Sequence, residues 1–196
     1  LTADVLMLFA DARDRLEGAA HATGSGSTAP KGVFTAVNAS ASLQVTSTTA
    51  ATIGLVDLHS LYRTLPVRWR GRASWVMNPL YSLAIKALGT ALSASYSTDI
   101  TQAMSANLLG RPLVESDDAP TTQTTTALDQ EVIFGDFSNF TIVDMPGGFS
   151  IEFIPHMFNT SNNLPDGRRA WFAHWRNGAD TSNLAAFRSL VDKTSA

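Results

Sequence analysis

The stretch Ser74-Trp75-Val76-Met77-Asn78-Pro79 constrains this chain more than any other six residues in it. Trp75, Val76 and Met77 suit a buried strand, and the next two residues end it. Asn is a favoured helix N-cap, and Pro suits the first helical position, where no amide donor is needed. The stretch therefore reads as a short core strand that turns directly into a helix. All three strand positions are apolar, so the strand is expected to be covered on both sides, like a central parallel-type strand. Trp75 and Met77 should enter one layer and Val76 the opposite one. Asn78 should accept a backbone N–H of the following helix.

The neighbouring segments extend this to an α/β layer. Upstream, Ala51, Leu55, Leu58, Tyr62 and Leu65 recur at helical spacing, with Thr48 or Thr49 as the expected cap and Pro66 as the stop. Downstream, Tyr81, Ala84, Ile85 and Leu88 share a face, and Gly89 is the expected end. Residues 4–22 read as an amphipathic helix with Val5, Leu8, Phe9, Ala12, Leu16, Ala19 and Ala20 as its apolar stripe. Gly24 ends it, and the Gly/Ser-rich stretch 24–32 reads as a flexible separator. Residues 33–47 are poorly specified, and residues 90–127 are rich in Ser, Thr and Ala.

Extended segments are expected at 108–114, 132–137 and 140–143. Met145-Pro-Gly-Gly148 is a tight turn. Phe149, Ile151 and Phe153 alternate with polar residues as in a half-buried strand. Trp171, Ala173 and Trp175 share one face of another strand and read as core, with the polar loop 159–167 between the two strands. For residues 185–191 propensity favours a helix capped by Ser182. No internal repeat stands out.

Composition bounds the function. The 196 residues suffice for one large domain or two small ones with a real core. Only 16% are charged, below the usual quarter, which fits surface placed against partners. A net charge of −3 gives no electrostatic ground for nucleic-acid binding. The chain has no Cys, so disulfides and thiolate metal sites are excluded and nothing suggests an oxidising compartment. No apolar run approaches the ~20 residues of a membrane span. The first residue, Leu1, falls inside a helical pattern, so the chain is expected to be a piece of a longer protein, with no signal peptide visible.

Motifs for chemistry do not assemble. Gly24-Ser-Gly-Ser-Thr28 lacks the preceding strand and the Gly-Lys-Ser/Thr ending of a phosphate loop. No Gly-x-Ser-x-Gly elbow exists. His21, His59, His156 and His174 are scattered without ligand spacing. Asp117-Asp118 and Asp129/Glu131 are carboxylate pairs expected in solvated loops. Arg68-Trp-Arg70-Gly-Arg72 is the one basic cluster with an interleaved aromatic. It reads either as a solvated loop or as a subunit contact, since Arg and Trp are favoured at interfaces. Arg168 and Arg169, after Asp166-Gly167, read as a charge-paired turn and are a second candidate subunit contact. No catalytic, cofactor-binding or metal-binding residue is assigned.

The ordered segments resemble the major capsid protein of tailed bacteriophages, the fold named after phage Hong Kong ninety-seven. The pieces are an amphipathic helix running into Gly-x-Gly and Pro30-Lys-Gly-Val-Phe34; Leu65-Pro66 followed by Ala73-Ser-Trp-Val-Met-Asn78; Leu108-Leu-Gly-Arg-Pro-Leu-Val114; and Gly135-Asp-Phe137 followed by Phe140-Thr-Ile142. The match covers nearly the whole chain. The resemblance implies a mixed α+β and α/β fold. Its axial domain, a central sheet flanked by helices, would span residues 24–142. The peripheral domain would hold the end of the long spine helix (1–23) and long antiparallel strands (143–178). Residues 179–196 would return to the axial domain, with 185–191 as a strand rather than a helix. The family's N-terminal arm, E-loop and start of the spine helix have no counterpart upstream of Leu1. The Lys that some relatives cross-link would lie on that loop.

The implied function is structural. The chain is expected to be a subunit of an icosahedral phage or prophage shell around DNA, assembled through hexamer and pentamer contacts in the host bacterial cytoplasm and located in the virion. Its partner would be itself, with non-specific DNA contact at most, no membrane and no small-molecule substrate or cofactor. An encapsulin-type compartment is the alternative within the fold. An enzyme or carbohydrate-binding domain with a Trp-lined cleft is the alternative outside it, and would need a deep pocket with converging polar groups.

Overall fold

A computed structural model describes residues 2–91, 107–124, 126–161 and 164–194. Residues 92–106 and 125 of the Ser/Thr/Ala-rich stretch, and residues 162 and 163 of the polar loop, lie outside the described residues. The helices are α1 (Thr2–Thr23), α2 (Val33–Asn38), α3 (Leu55–Thr64), α4 (Val67–Arg70) and α5 (Pro79–Ala91). The strands are β1 (Gln44–Thr46), β2 (Ser74–Met77), β3 (Asn107–Leu108), β4 (Arg111–Glu115), β5 (Gln130–Gly135), β6 (Phe140–Asp144), β7 (Ser150–Ile154), β8 (Ala170–His174), β9 (Asn177–Thr181) and β10 (Phe187–Val191).

Six strands form the central sheet in the order β1-β10-β5-β2-β4-β3. β1 runs parallel to β10 and β2 parallel to β4, while the other neighbours are antiparallel. Both faces are covered, as the apolar runs of β2 and β5 require. On one face Trp75, Met77, Val132, Phe134 and Leu190 pack against Leu58 and Leu61 of α3 and Tyr81 and Ile85 of α5. On the other, Ile133 and Phe187 pack against Val33, Phe34 and Val37 of α2, with Val76 at the edge of that cluster. The alternation expected for β2 is thus the observed one. Trp75 stacks on Phe134 with ring centroids 4.2 Å apart. Its indole N–H donates to the Leu108 carbonyl at 2.9 Å, tying β2 to β3.

Asn78 caps α5 through Oδ1, which accepts the Leu80 N–H at 3.1 Å. Its amide also reaches the carbonyls of Ser116, Asp117 and Ala119 at 3.4–3.5 Å, so the cap holds the loop after β4 as well. α5 runs through Gly89 to Ala91 instead of ending at Gly89.

Other boundaries differ from expectation for identifiable reasons. α3 starts at Leu55, not near Thr48, because Asp57 fixes its first turn by accepting the Gly54 N–H at 2.8 Å. Thr48 donates its own N–H to the same carboxylate, as a brace from outside the helix. Ala51 stands outside the helix at φ 50, and Leu55 faces solvent. The Gly/Ser-rich stretch is a closed turn, not an open separator. Gly32 N–H bonds the Gly24 carbonyl at 3.0 Å and Lys31 N–H bonds the Ala179 carbonyl at 3.0 Å. A Cβ on Gly32 would lie 2.4 Å from the Ala22 carbonyl oxygen, so this approach to the end of α1 needs glycine. Residues 33–47, without clear pattern in sequence, supply α2 and β1.

The described residues between 140 and 181 form one long antiparallel arm. β6 pairs with β9 at its root, and β7 pairs with β8 farther out. Met145 N–H to the Arg176 carbonyl, at 3.0 Å, joins the two ribbons. Met157 N–H to Arg168, and Asn159 N–H to Leu164, carry the pairing toward the tip. The chain then re-enters the sheet: residues 187–191 are strand β10, not a helix. A strand can form there because β1 and β5 offer it a partner on each side.

Candidate functional site: the arm, the first helix and the basic clusters

The first helix and the arm support each other by few contacts. Val5, Phe9, Arg13 and Glu17, four residues apart, are the half-buried side of α1. Arg13 bonds Glu17 at 2.7 Å and lies over the Phe149 ring at 5.7 Å. That bond holds the Arg13 guanidinium above its ordinary pKa. His21 meets Phe140 edge-on at 6.3 Å. The packed side is therefore turned from the expected stripe, and Leu8 and Leu16 are 69% and 61% exposed.

The arm carries apolar side chains that nothing among the described residues covers. Phe153 and Trp171 pair across the ribbon at 4.8 Å, yet Trp171 remains 36% exposed. Phe172 is 52% and Phe158 61% exposed. Trp171 and Trp175 are thus ribbon residues rather than core, because a two-stranded ribbon has no second layer to bury either face. Trp175 sits with Met145 to Gly148, His174 and Arg176 around an open depression of about 390 Å³.

The two basic candidates occupy different settings. Arg68 is exposed and lies over the Trp69 ring at 5.0 Å, and Arg72 is exposed. Arg70 is held within the chain. Its guanidinium donates to the Leu65 and Arg63 carbonyls, each at 2.7 Å, and lies 5.3 Å from the Tyr62 ring centre. These bonds satisfy the C-terminal carbonyls of α3. Arg168 pairs with Asp166 at 3.0 Å, and both Arg168 and Arg169 are exposed at the arm's outer end.

Polar pairs in the sheet body stabilise it. Glu115 accepts from Ser82 at 2.5 Å and Lys86 at 3.2 Å, and these two hold its carboxyl below the usual range. Asp117 and Asp118 are exposed, as expected. Glu131 is not: it is fully buried in β5, against the expectation of a solvated loop. The Thr-rich sequence before it hid its place in a central strand. His21, His59, His156 and His174 lie on separate elements, and among the described residues no three of His, Cys, Asp or Glu group to hold a metal ion. Among the described residues no helix is long and apolar enough to cross a membrane.

The model of the phage capsid family matches residues 6–171, and the chain belongs to that family. It is by that membership a structural protein. No curated protein matches it. Among solved structures, the capsid of an empty GTA particle superposes with a TM-score of 0.82 at 24% identity, covering 99% of this chain and 67% of that one. The capsid of the native GTA particle gives 0.80 at 23% identity, covering 99% and 66%. The holo-SrpI encapsulin complex from Synechococcus elongatus PCC 7942 gives 0.63 at 14%, covering 97% and 64%. The fold is therefore the capsid fold, and the chain spans about two thirds of the length of the capsid chains it matches.

Proposed function

We propose that this chain is the body of a shell subunit that closes an icosahedral phage or prophage capsid around DNA through repeated hexamer and pentamer contacts. The observation that carries the reading is the uncovered apolar surface of α1 and the arm, on a chain of the phage capsid family. Such surface on a structural protein is suited to contact between copies. Residues 24–142 serve as the axial domain, with 179–196 returning to it. Residues 1–23 and 143–178 serve as the peripheral domain, and the root of the arm lies at the border. Arg68 and Arg72 on one side, and Arg168 and Arg169 on the other, are exposed basic groups that can meet neighbours; Arg70 serves α3 first. Shell strength then comes from many moderate interfaces acting together. The particle is a virion component assembled in the host cytoplasm, and the chain's work is assembly, not turnover.

Electron microscopy of the natural full-length protein tests this. Closed shells with hexamers and pentamers that protect DNA from nuclease are expected. Shells that carry protein cargo and no DNA would instead make it an encapsulin-type compartment. A protein that stays monomeric at high concentration, with the arm in place, would end the reading.

A further inference from the structure

Four acidic residues lie around the end of β10, where the charges of Asp192, Asp57 and Asp129 act on Glu131. Asp57 comes from α3, Asp129 from the loop before β5, Glu131 from β5 and Asp192 from the end of β10. Their hydrogen bonding is unequal. Asp57 accepts the N–H groups of Thr48 and Gly54, each at 2.8 Å, and the Thr48 hydroxyl. Asp192 accepts the Ala51 N–H at 2.8 Å and the Ser47 hydroxyl at 3.2 Å. Asp129 accepts the N–H and hydroxyl of Thr124. Glu131 receives one amide, Gln123 Nε2 at 2.5 Å. It is 0% exposed, and its Oε2 has no partner. Asp192 Oδ2, also buried, has none either.

The groups whose charge reaches Glu131 are Asp192, Asp57 and Asp129, all anions. Tyr81 of α5 faces the same cluster, and burial with Glu131, Asp129 and Asp192 nearby pushes its phenol up to about 12. Of the four carboxyls, Glu131 has the fewest donors, and burial with anions nearby disfavours its charged form.

The backbone there is equally particular. Leu190 pairs with Val132 and Val191 with Gln130, so Glu131 is the extra residue of a bulge on β5. Asp192 N–H bonds the Asp129 carbonyl at 2.7 Å, and Ser47 N–H bonds the Val191 carbonyl at 2.9 Å. Asp192 also holds Ala51 at φ 50, a left-handed conformation that an alanine adopts only under constraint. One small region thus ties β5, β10, β1 and the approach to α3 together around Glu131.

We propose that Glu131 is a proton-operated latch: neutral, it lets β10 and β1 close against β5, and when it ionises this seam loosens while the rest of the sheet stays formed. The titration supports the geometry, since burial and then Asp192 push Glu131 up to about 7. The sign follows. A carboxyl raised in the folded state stabilises the fold fully below its unfolded value near 4.5, and that stability is lost as pH rises through about 7. The latch is independent of whether the shell holds DNA or protein.

The test is thermal melting of the protein at fixed ionic strength from pH 5.5 to 8.5, for the parent, Glu131→Gln and Asp192→Asn. The parent's Tm should fall across this range. Glu131→Gln should remove most of that fall and melt about 5–10 °C above the parent at pH 8.5. Parallel curves for the parent and Glu131→Gln would overturn the proposal. Should Glu131→Gln fail to fold, the Glu131 carboxyl resonance of the parent decides by NMR. A midpoint near 7 that drops in Asp192→Asn supports the latch, and a midpoint near 4.5 overturns it. Hydrogen exchange locates the effect. Excess opening at pH 8.5 should appear in β1 and β10 and not in β2 or β4; uniform opening would contradict a local seam.

Discussion

The sheet body and the arm with its helix are built from similar residues and treated in opposite ways. Every buried residue of the described chain falls within 32–136 or 186–192. Among the described residues of α1 and the arm, none is buried. Yet α1 and the arm carry Leu8, Leu16, Phe153, Phe158, Trp171 and Phe172, side chains as apolar as those of the core. Apolar content therefore does not decide what is inside. A residue is buried when its element has a second layer to face, and the sheet has one on each side while the ribbon has none. The body can hold itself together, whereas α1 and the arm add contacts without adding a core.

Substitutions that should separate the two regions run from large to small. Trp75→Ala removes a fully buried ring, its stack on Phe134 and its bond to Leu108, and should cost ~3–5 kcal/mol in denaturant melts. A loss below ~1 kcal/mol would mean the body is not the stable half. Glu115→Gln leaves the Lys86 ammonium, with a side chain only 6% exposed, facing a neutral group. Glu115 itself is 42% exposed, so solvent screening limits the loss to about 1 kcal/mol at pH 7. Because Glu115 is held below its ordinary pKa of 4.5, its contribution is present above that value and disappears as pH falls through the lower folded one. The gap between parent and variant should therefore close in acid; a gap that persisted at pH 3 would rule out the charge pair as its source.

Arg70→Ala strips two bonds from the end of α3 and should cost ~1–2 kcal/mol in the isolated chain, against almost nothing for Arg72→Ala. Equal melts for the two would return Arg70 to the surface. Trp171→Ala should change the chain's own stability by ~1 kcal/mol or less and instead lower the yield of assembled particles. A melt as damaged as that of Trp75→Ala would show that the arm does have a core.

Where the signal was local, it could be read from the chain. The Asn78-Pro79 junction worked because a cap needs only its own side chain and the next two residues. The positive-φ glycines of the 145–148 turn were similarly legible. The start of α3 was not, because Asp57 and Thr48 meet only once the loop between them has folded. α2 is six residues long, too short to show a period, and its side along Val33, Phe34 and Val37 is buried. Leu8 and Leu16 form a stripe in sequence that the arm does not meet. Glu131 was the largest omission. Its neighbours Val132, Ile133 and Phe134 announced a strand, but the bulge that holds its carboxyl among three others depends on β10, some sixty residues later. The basic clusters could be found by composition, while the different work of Arg70 required the carbonyls of α3 to be in place.

The position of β10 sets a schedule. It lies between β1 and β5, and the whole arm separates it from β5 in the chain. A ribosome delivers β1, β2, β4 and β5 first, then the arm, and only then the strand that joins β1 to the others. Until that moment β1 has no partner in the sheet and β5 has a bare edge, which is the kind of surface on which nascent chains pair wrongly with one another. A copy whose arm is still being made cannot complete its sheet. The time spent making the arm is thus the interval in which a chaperone has most to do, and lengthening the arm extends that interval without altering a single contact in the finished body.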